Sequence, residues 1–428
     1  MKEITVAVIG SGSTYCPELV DGFIKSKDLK LKKITFMDID ERKRTIVGGL
    51  CVRMLKNANI DCEINMTDDL DEALQGADFV VTQIRVGKLP ARLLDETIPP
   101  KYDLIGQETT GIGGFFKALR TIPVMKNIAE RIEAICPDAW LINFTNPSGI
   151  ISEFILNHTN VKSIGLCNVP INMLDDTTEN AGCPVDITYV GLNHLSWINS
   201  VKKNGEEILP GMIDGGFSAK VMENIKDDGF SLECLKAIQG IPSSYLQYYY
   251  CRDAKLEHCK SEDKPRAQVC MEIEEELLEM YSDESLIVKP ALLDKRGGHK
   301  YSLAAVSLIE SIATDKNDVH VVNIKNNGTL PFMADDDVVE IAATVGKNGA
   351  TPVEITVPVN GHMQGLMTVV KKYEKYAVEA GITGDDEAAL NALLVHPLVG
   401  DWERGKACYE EMKEAHKDYL PQFFKKAD

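Results

Sequence analysis

Two short segments of the chain each present a side chain that could bind a metal ion. Residues 165–170 read GLCNVP and residues 191–197 read GLNHLSW, so Cys167 and His194 each stand beside a carboxamide. A thiolate and an imidazole suit Zn²⁺ or another borderline divalent metal, whereas two protein ligands are too few for a structural zinc site. The two residues can meet only if their strands end at the same cleft. The alternative is a buried cysteine and a hydrogen-bonded core histidine.

A glycine-containing turn follows the first apolar run of the chain. Gly10 and Gly12, with Ser13 directly after them, stand where a strand must bend and the backbone must approach a pyrophosphate. Tyr15 replaces the third glycine of the usual fingerprint. Asp38 ends the second strand, where a carboxylate can bind the adenosine ribose and repel a 2′-phosphate. The pattern predicts an NAD site, and the alternative is that Asp38 only caps the next turn.

Further polar residues follow other predicted strands. Asn146 comes after a buried strand, where it could hold a sugar hydroxyl or the nicotinamide ribose, or simply form a local turn. Arg85 and Arg266 are basic residues near loops, and arginine binds phosphate through two parallel hydrogen bonds or forms surface salt bridges. Tyr245 lies in a tyrosine cluster that is typical of a core, since a phenol acts as a base only where a cation lowers its pKa.

The composition restricts the classes of protein to consider. A length of 428 residues predicts two domains, or one domain with a large extension. The formal charge of −19 argues against a nucleic-acid partner, because phosphate backbones bind basic surfaces. No run approaches the roughly 18 apolar residues of a membrane span, and we expect no membrane association and no signal peptide. Eleven scattered cysteines indicate reduced thiols, so the expected location is the cytoplasm.

The elements that must position these residues alternate between strand and helix in the first part of the chain. Predicted strands cover residues 4–9, 34–38, 78–83, 139–144 and 163–166. This alternation predicts an α/β fold with a mainly parallel, Rossmann-like sheet over residues 1–170. Residues 171–428 predict an α+β domain for substrate, metal and oligomer contacts, with strand and hairpin segments at 187–198 and 200–209 before long amphipathic helices.

Taken together, these segments resemble the NAD- and divalent-metal-dependent glycosidases of glycoside hydrolase family four. The resemblance extends over nearly the whole chain, through residues 8–13, 106–111, 143–149, 165–170, 191–196 and 295–298. It implies the architecture of lactate and malate dehydrogenases. Within the family, the CNVP block is similar to the 6-phospho-β-glucosidases, whereas phospho-α-glucosidases usually carry Asp where this chain has Asn168.

The resemblance also implies roles for individual residues. Cys167 and His194 would bind Mn²⁺ or another divalent metal together with O2 and O3 of the sugar, and Tyr245 matches the family's catalytic tyrosine. The family's substrate-contacting positions are occupied in this chain by Arg85, Asn146, Asn168 and Arg266. Of these, the two arginines would lie nearest the 6-phosphate. The residues for NAD are Gly10, Gly12, Ser13 and Asp38.

The implied reaction hydrolyses a 6-phospho-β-glucoside, such as a phosphorylated disaccharide or aryl glucoside. Ordinary glycosidases use two carboxylates, but here hydride leaves C3, a metal polarises the resulting ketone, and Tyr245 removes the C2 proton. The C1 substituent is then eliminated, water adds, and hydride returns. The resemblance leaves the leaving-group acid unassigned, and we expect a homodimer or homotetramer.

Two other functions are compatible with parts of the pattern. An NAD-dependent hydroxy-acid dehydrogenase would use His194 as its proton acceptor and would form NADH stoichiometrically. A nucleotide-sensing binding protein without turnover would leave the metal pair and Tyr245 without a role. Cys167 and the family resemblance favour the glycosidase.

Overall fold

The computed structural model describes residues 1–217, 229–296 and 301–424 of the chain. The strands are β1 (Lys2–Ile9), β2 (Leu29–Met37), β3 (Glu63–Thr67), β4 (Phe79–Thr82), β5 (Trp140–Asn143), β6 (Lys162–Gly165), β7 (Asp186–Leu192), β8 (Leu195–Lys203), β9 (Glu206–Glu207), β10 (Ile241–Pro242), β11 (Asp318–Lys325), β12 (Val338–Gly346) and β13 (Gly349–Pro352).

Helices connect and cover these strands. The α-helices are α1 (Cys16–Lys25), α2 (Glu41–Asn57), α3 (Leu70–Leu74), α4 (Lys88–Thr97), α5 (Gly111–Ile135), α6 (Ser148–His158), α7 (Val169–Ala181), α8 (Leu209–Asp214), α9 (Leu232–Ile238), α10 (Gln247–Tyr250), α11 (Arg252–Ser261), α12 (Arg266–Ser282), α13 (Tyr301–Thr314), α14 (Gly361–Thr383), α15 (Asp386–Val395), α16 (Trp402–Ala415) and α17 (Pro421–Phe424). Short 3₁₀ helices cover Pro99–Tyr102, Ser244–Leu246, Ala291–Arg296 and Lys417–Tyr419.

One sheet organises the described part of the chain. Its nine strands run in the order β13-β12-β11-β6-β5-β4-β1-β2-β3, and the six strands from β6 to β3 are parallel. The buried parts of the central strands, residues 6–9 of β1 and residues 79–81 of β4, are continuous apolar runs, as expected where helices cover both faces of a parallel sheet. The strand order changes direction between β1 and β4, which is where open α/β sheets bind their ligands.

The predicted α/β class with an N-terminal parallel sheet is confirmed. The sheet does not end near residue 170, however, because the antiparallel strands β11, β12 and β13 extend it beyond β6. Those strands come from the second half of the chain. The division into domains at residues 1–170 and 171–428 therefore stays a prediction, and the two halves share a hydrogen-bonded sheet.

A second, antiparallel sheet contains β7, β8, β9 and β10. The sequence pattern predicts strand and hairpin segments at residues 187–198 and 200–209, and the structure places the turn between β7 and β8 at residues 193–194, within the first segment. His194 there has a φ of +63°, a left-handed conformation suited to a tight turn.

The long helix α14 lies behind the carboxyl edge of the main sheet, where it packs against α5, α6 and α15. The large apolar core extends across both halves, from β1 through α5 to α14 and α16. No helix in the described ranges is both long and apolar enough to span a bilayer. The fold thus surrounds the carboxyl edge of the parallel strands with elements from distant parts of the chain.

Candidate active site

The carboxyl ends of five adjacent parallel strands supply most of the residues singled out from the sequence. Strands β6, β5, β4, β1 and β2 are neighbours in the sheet, and each ends at the same edge. The residues that follow them in that order are Cys167 and Asn168, Asn146, Arg85, the glycine turn and Asp38. Sheet topology therefore brings together residues that are up to 158 positions apart without requiring any local motif.

The glycine turn approaches Asp38 closely. Gly10 has a φ of +87°, and its N–H and that of Ser11 donate to the Met37 carbonyl at 2.9 and 3.0 Å. The Gly12 N–H donates to the Asp38 carboxylate at 2.8 Å, and a Cβ at position 12 would lie 2.8 Å from the same oxygen. Only glycine fits there without displacing the carboxylate.

This arrangement fits a dinucleotide. The second Asp38 oxygen accepts the Asp40 N–H at 2.9 Å, so backbone donors orient the half-buried carboxylate at the end of β2. Ser13 follows the turn, half-buried, and helix α1 begins at Cys16. A helix N-terminus next to a glycine turn offers N–H donors and a positive dipole to a pyrophosphate. Asp38 thus stabilises the turn, which is the role that the alternative interpretation gave it. Its carboxylate is also in a position to bind a ribose.

Cys167 and His194 lie together in the interior. Cys167 Sγ is 3.6 Å from His194 Nε2, and the two residues are only 7% and 6% exposed. Burial, followed by the charge of Lys117, lowers the pKa of His194 to about 3, so the imidazole is neutral, as a metal ligand must be. Burial, followed by the charge of Glu340, raises the pKa of the Cys167 thiol to about 12. A bound cation would favour the thiolate.

The pair suits a metal that also binds substrate. The described residues hold no cluster of three or more His, Cys, Asp or Glu side chains placed around one point, so the candidate protein ligands are two. Asn168 Oδ1 lies 4.0 Å from Cys167 Sγ and adds a neutral oxygen next to the pair. A thiolate and an imidazole with open positions match a borderline divalent ion that takes its remaining ligands from a substrate.

Tyr245 lies directly against this pair. The Ser244–Leu246 3₁₀ helix holds its ring parallel to the His194 imidazole, with centroids 3.8 Å apart and planes at 6°. Burial, followed by the charge of Cys167, raises the pKa of the buried phenol above its ordinary value. The phenol is therefore protonated unless cations bind nearby, which would oppose the effect of burial. Tyr249 in the same cluster instead pairs with Thr110 at 3.1 Å.

A cluster of three cations surrounds one buried carboxylate beside the site. Glu108 pairs with Arg85, with Arg92 at 3.0 Å and with Lys117 at 2.7 Å. Burial alone would raise the Glu108 pKa, but the three cations hold it well below its usual range. Burial and the Arg85 charge lower the pKa of Lys117 to about 7. Arg92 also pairs with Glu96 at 2.6 Å, so three cations face two carboxylates and at most one positive charge is left for an anionic ligand.

Sequence reasoning did not assign Glu108 or Lys117 a role. Glu108 belongs to the polar, glycine-bounded block at residues 106–111, and that block was the one feature of the sequence that pointed to it. Lys117 lies in the apolar stretch of α5, where it is 3% exposed. A buried lysine in an apolar helix needs a charged partner, and that requirement is the clue that could have identified it.

Arg266 occupies the first turn of α12. Its Nη2 donates to the Lys295 carbonyl at 3.0 Å and to the Arg296 carbonyl at 3.5 Å. The Tyr15 hydroxyl donates to the same Arg296 carbonyl at 2.8 Å, which places Arg266 near the glycine turn. The rest of the predicted block at 295–298, residues 297 and 298, lies outside the described residues.

Helix α12 connects Arg266 with the cluster of charged residues at Glu108. Cys270, one turn after Arg266, accepts a hydrogen bond from Arg92 Nη1 at 3.5 Å. Arg92 shares Glu108 with Arg85. Arg85 is therefore connected through Glu108 and Arg92 to α12, the helix that begins at Arg266.

Within the described ranges, the Asn146 carboxamide makes only long, local hydrogen bonds. Its Oδ1 accepts from the Ser148 N–H at 3.4 Å, and its Nδ2 donates to the Phe144 carbonyl at 3.5 Å. These contacts agree with a turn and leave the amide able to exchange them for a sugar hydroxyl. Its substrate contact, like that of Asn168, stays a prediction.

Comparison with protein families assigns both halves of the chain to one group. A sequence model described as family 4 glycosyl hydrolase matches residues 5–182. A second model, described as the C-terminal domain of family 4 glycosyl hydrolases, matches residues 189–399.

Full-length relatives carry a common activity in their names. The chain is 43% identical to a probable 6-phospho-beta-glucosidase of Bacillus subtilis, with 100% of this chain and 99% of the relative covered. It is 39% identical to the 6-phospho-beta-glucosidase of Escherichia coli K12, with coverage of 99% and 97%.

Solved structures agree with the sequence comparisons. The 6-phospho-beta glucosidase of Thermotoga maritima, solved with manganese, NAD⁺ and glucose-6-phosphate, matches with a TM-score of 0.89 at 36% identity, covering 97% of this chain and 99% of that one. Malate dehydrogenase of Plasmodium falciparum matches with a TM-score of 0.51 at 13% identity, covering 89% and 99%, and shows the fold alone.

Proposed function

This chain belongs to family 4 of the glycosyl hydrolases, and we propose that it is a 6-phospho-β-glucosidase that uses NAD and a divalent metal, Mn²⁺ being the first candidate. The observation that carries the proposal is the buried contact of Cys167 Sγ with His194 Nε2 at 3.6 Å, with the Tyr245 ring stacked on that histidine. This group lies at the same sheet edge as the glycine turn.

The chain's own residues fit both cofactors. Gly10, Gly12, Ser13 and Asp38 form the cradle for the dinucleotide, and Cys167 with His194 forms the metal site. When bound, NAD supplies reversible hydride transfer at the sugar and the metal ion supplies Lewis-acid polarisation of the neighbouring sugar oxygens. Because hydride returns in each cycle, the overall reaction is a hydrolysis.

Tyr245 is placed to move the C2 proton. Its ring covers the His194 imidazole, so a sugar whose O2 and O3 approach the metal ligands would present C2 near the phenol. The phenol needs a lowered pKa for this task, because burial raises it in the protein alone. The positive charges of both cofactors act in the required direction. Tyr245 thus becomes a base only in the assembled complex.

The basic side chains provide for the 6-phosphate. Arg85 is 28% exposed and retains an accessible surface beside the cation cluster at Glu108, and Arg266 begins the helix whose Cys270 contacts Arg92 of that cluster. A phosphate gains most from arginine in such a partly desolvated place, because the field of the cations is poorly screened. Binding energy from this remote group can then be used to orient C1 to C3 of the sugar.

The specificity for a β-glucoside is supported by two observations. Relatives at 39–43% identity are named 6-phospho-β-glucosidases, and Asn168 stands beside Cys167 where the resemblance associates Asp with the α-specific enzymes. Asn146 and Asn168 would position sugar hydroxyls. The dehydrogenase alternative is less well supported, since it leaves Cys167 and Tyr245 without a role.

The proposal includes a cytoplasmic location and a homodimer or homotetramer. All eleven cysteines are free thiols, which agrees with a reducing compartment. Light scattering of the purified protein measures the assembly state directly. A monomer in the presence of NAD and Mn²⁺ would contradict that part of the proposal.

One assay separates the candidate functions. The protein is incubated with an aryl 6-phospho-β-glucoside, NAD⁺ and Mn²⁺, and aglycone and NADH are followed together. Aglycone release without accumulated NADH is expected, whereas NADH accumulation would identify a dehydrogenase and neither product would identify a binding protein. Parallel reactions with the aryl 6-phospho-α-glucoside and the unphosphorylated β-glucoside test the two specificity claims.

A further inference from the structure

A small cavity is lined in part by His194, and Cys167 is not among its lining residues. Its volume is about 20 Å³, which is enough for one water molecule. The polar residues that line it come from five separate segments of the chain. They include Thr110, Asn193, His194, Tyr249, Glu374 and His396.

Two imidazoles present N–H groups in this region. With Nε2 directed at Cys167, a metal-binding His194 must carry its proton on Nδ1, and that atom is buried with no hydrogen-bond partner among the described residues. His396 Nδ1 accepts the Leu398 N–H at 3.0 Å, so the neutral ring carries its proton on Nε2. That nitrogen is also buried without a partner in the described ranges.

The neighbouring polar groups do not meet this need directly. Thr110 Oγ1 and the Tyr249 hydroxyl pair with one another at 3.1 Å. Asn193 Oδ1 accepts the Gly149 N–H at 3.3 Å, and its Nδ2 donates to Glu340 at 3.0 Å.

Glu374 provides the acceptor. It is 4% exposed, and one of its oxygens lies 2.8 Å from where a Cβ of Gly149 would stand, which places the carboxylate at the cavity wall. It pairs with Lys371, which also donates to Glu153 at 2.8 Å. A carboxylate has about four lone-pair positions, so this ion pair leaves acceptor capacity for another donor.

We propose that the cavity binds one water molecule that accepts hydrogen bonds from His194 Nδ1 and His396 Nε2 and donates one to Glu374. A buried water needs two to four polar partners, and these three satisfy it. Glu374 and His396 then act as positioning residues that fix the tautomer and orientation of the metal ligand. Such outer partners of a ligating histidine strengthen metal binding. The inference rests on the proposed role of His194 as a metal ligand.

Two substitutions at one position test this hydrogen bond. Glu374→Met and Glu374→Gln both remove the charge beside Lys371. Lys371 keeps Glu153 as a partner in both variants, so any loss in the free energy of unfolding should be the same in both. Only glutamine retains an oxygen that can accept from the water. The Mn²⁺ dissociation constant of the NAD-saturated protein, measured by electron paramagnetic resonance, should rise about 10- to 100-fold in Glu374→Met and stay near the wild-type value in Glu374→Gln.

The controls separate this inference from the proposed function. Glu379→Met, on the exposed side of the same helix, should bind Mn²⁺ normally. If wild type binds no Mn²⁺, or if His194→Ala binds it equally well, the proposed function fails. If wild type binds Mn²⁺ but the two Glu374 variants bind it with equal affinity, only the present inference fails.

A crystal structure of the Mn²⁺-bound protein tests the water directly. We expect one ordered water within hydrogen-bond distance of His194 Nδ1, His396 Nε2 and a Glu374 oxygen, and its loss in Glu374→Met. A dry cavity, or a direct bond from Nδ1 to a protein acceptor, would overturn the proposal.

Discussion

The imidazole of His194 and the phenol of Tyr245 lie face to face, with centroids 3.8 Å apart and ring planes at 6°. One residue is a candidate metal ligand in a hairpin turn, and the other is a candidate base in a 3₁₀ helix. Because the two rings share a surface, a cation bound by His194 would lie close to the phenol. Metal binding and proton removal at this site are therefore expected to be coupled.

Replacing Tyr245 by phenylalanine should leave the fold, the metal affinity and the NAD affinity unchanged but remove most of kcat. Loss of a positioned base costs about 10²- to 10⁴-fold. Exchange of the C2 proton of the substrate with solvent, followed by nuclear magnetic resonance, should disappear. Tyr248→Phe is the matched control, since its ring lies 6.4 Å from that of Tyr245 and is also buried. Normal exchange in Tyr245→Phe would assign the base to another residue.

Replacing Cys167 by serine should greatly weaken Mn²⁺ binding and abolish turnover, because a serine hydroxyl does not supply the thiolate ligand. NAD binding should survive, because it uses the glycine turn and Asp38, which lie further along the same sheet edge. Isothermal titration with each cofactor measures both effects. Cys183→Ser, at a half-exposed position after α7, should behave as wild type. A fully active Cys167→Ser protein in chelator-treated buffer would exclude the thiol as a ligand.

Replacing Asp38 by asparagine keeps an oxygen for the Gly12 N–H but removes the charge. A lost charge-assisted hydrogen bond to the ribose should weaken NAD⁺ binding about 10- to 100-fold, and discrimination against NADP⁺ should fall. The ratio of the two dissociation constants is the measurement. Asp28→Asn, an exposed position before β2, provides the control. An unchanged ratio would mean that Asp38 only stabilises the turn.

Replacing Arg266 by alanine should raise KM for the aryl 6-phospho-β-glucoside about 10- to 100-fold, the usual value of a lost hydrogen bond to a charged group. Binding of an unphosphorylated glucoside should change little. Arg42→Ala serves as the control. It removes an exposed ion pair with Glu275, which lies on α12, the helix that begins at Arg266. Equal losses for both substrates would make Arg266 a structural residue that holds the Lys295 and Arg296 carbonyls.

Stability should depend on pH through His396. Burial lowers its pKa from 6.5 to about 3, so between these values the unfolded chain binds a proton that the folded protein does not. This contribution is complete above pH 6.5 and is lost as the pH falls towards 3. In His396→Gln the slope of unfolding free energy against pH should be smaller by up to about 1.4 kcal/mol per unit.

Five of the six parallel strands followed from local pattern, because the buried part of such a strand is mostly apolar, whereas the half-exposed edge strand β3 was not predicted. The same reasoning indicated strand and hairpin segments over residues 187–209 but did not locate the turn at residues 193–194 that carries His194. It also did not foresee that β11 to β13 extend the main sheet, because antiparallel pairing with β6 depends on a partner far away in sequence. Glu108 and Lys117 escaped notice because each is meaningful only beside the other.

The sequence by itself determined the class of fold, the glycine turn with Asp38, and the residue types available for a metal and a phosphate, since these depend on periodicity and side-chain chemistry. Only the tertiary structure decided which of them meet. It brought Cys167 Sγ within 3.6 Å of His194 Nε2, stacked Tyr245 on that ring, and gathered three cations around Glu108. The physical reason is that such contacts arise from strand order and helix packing, which no local stretch of residues encodes.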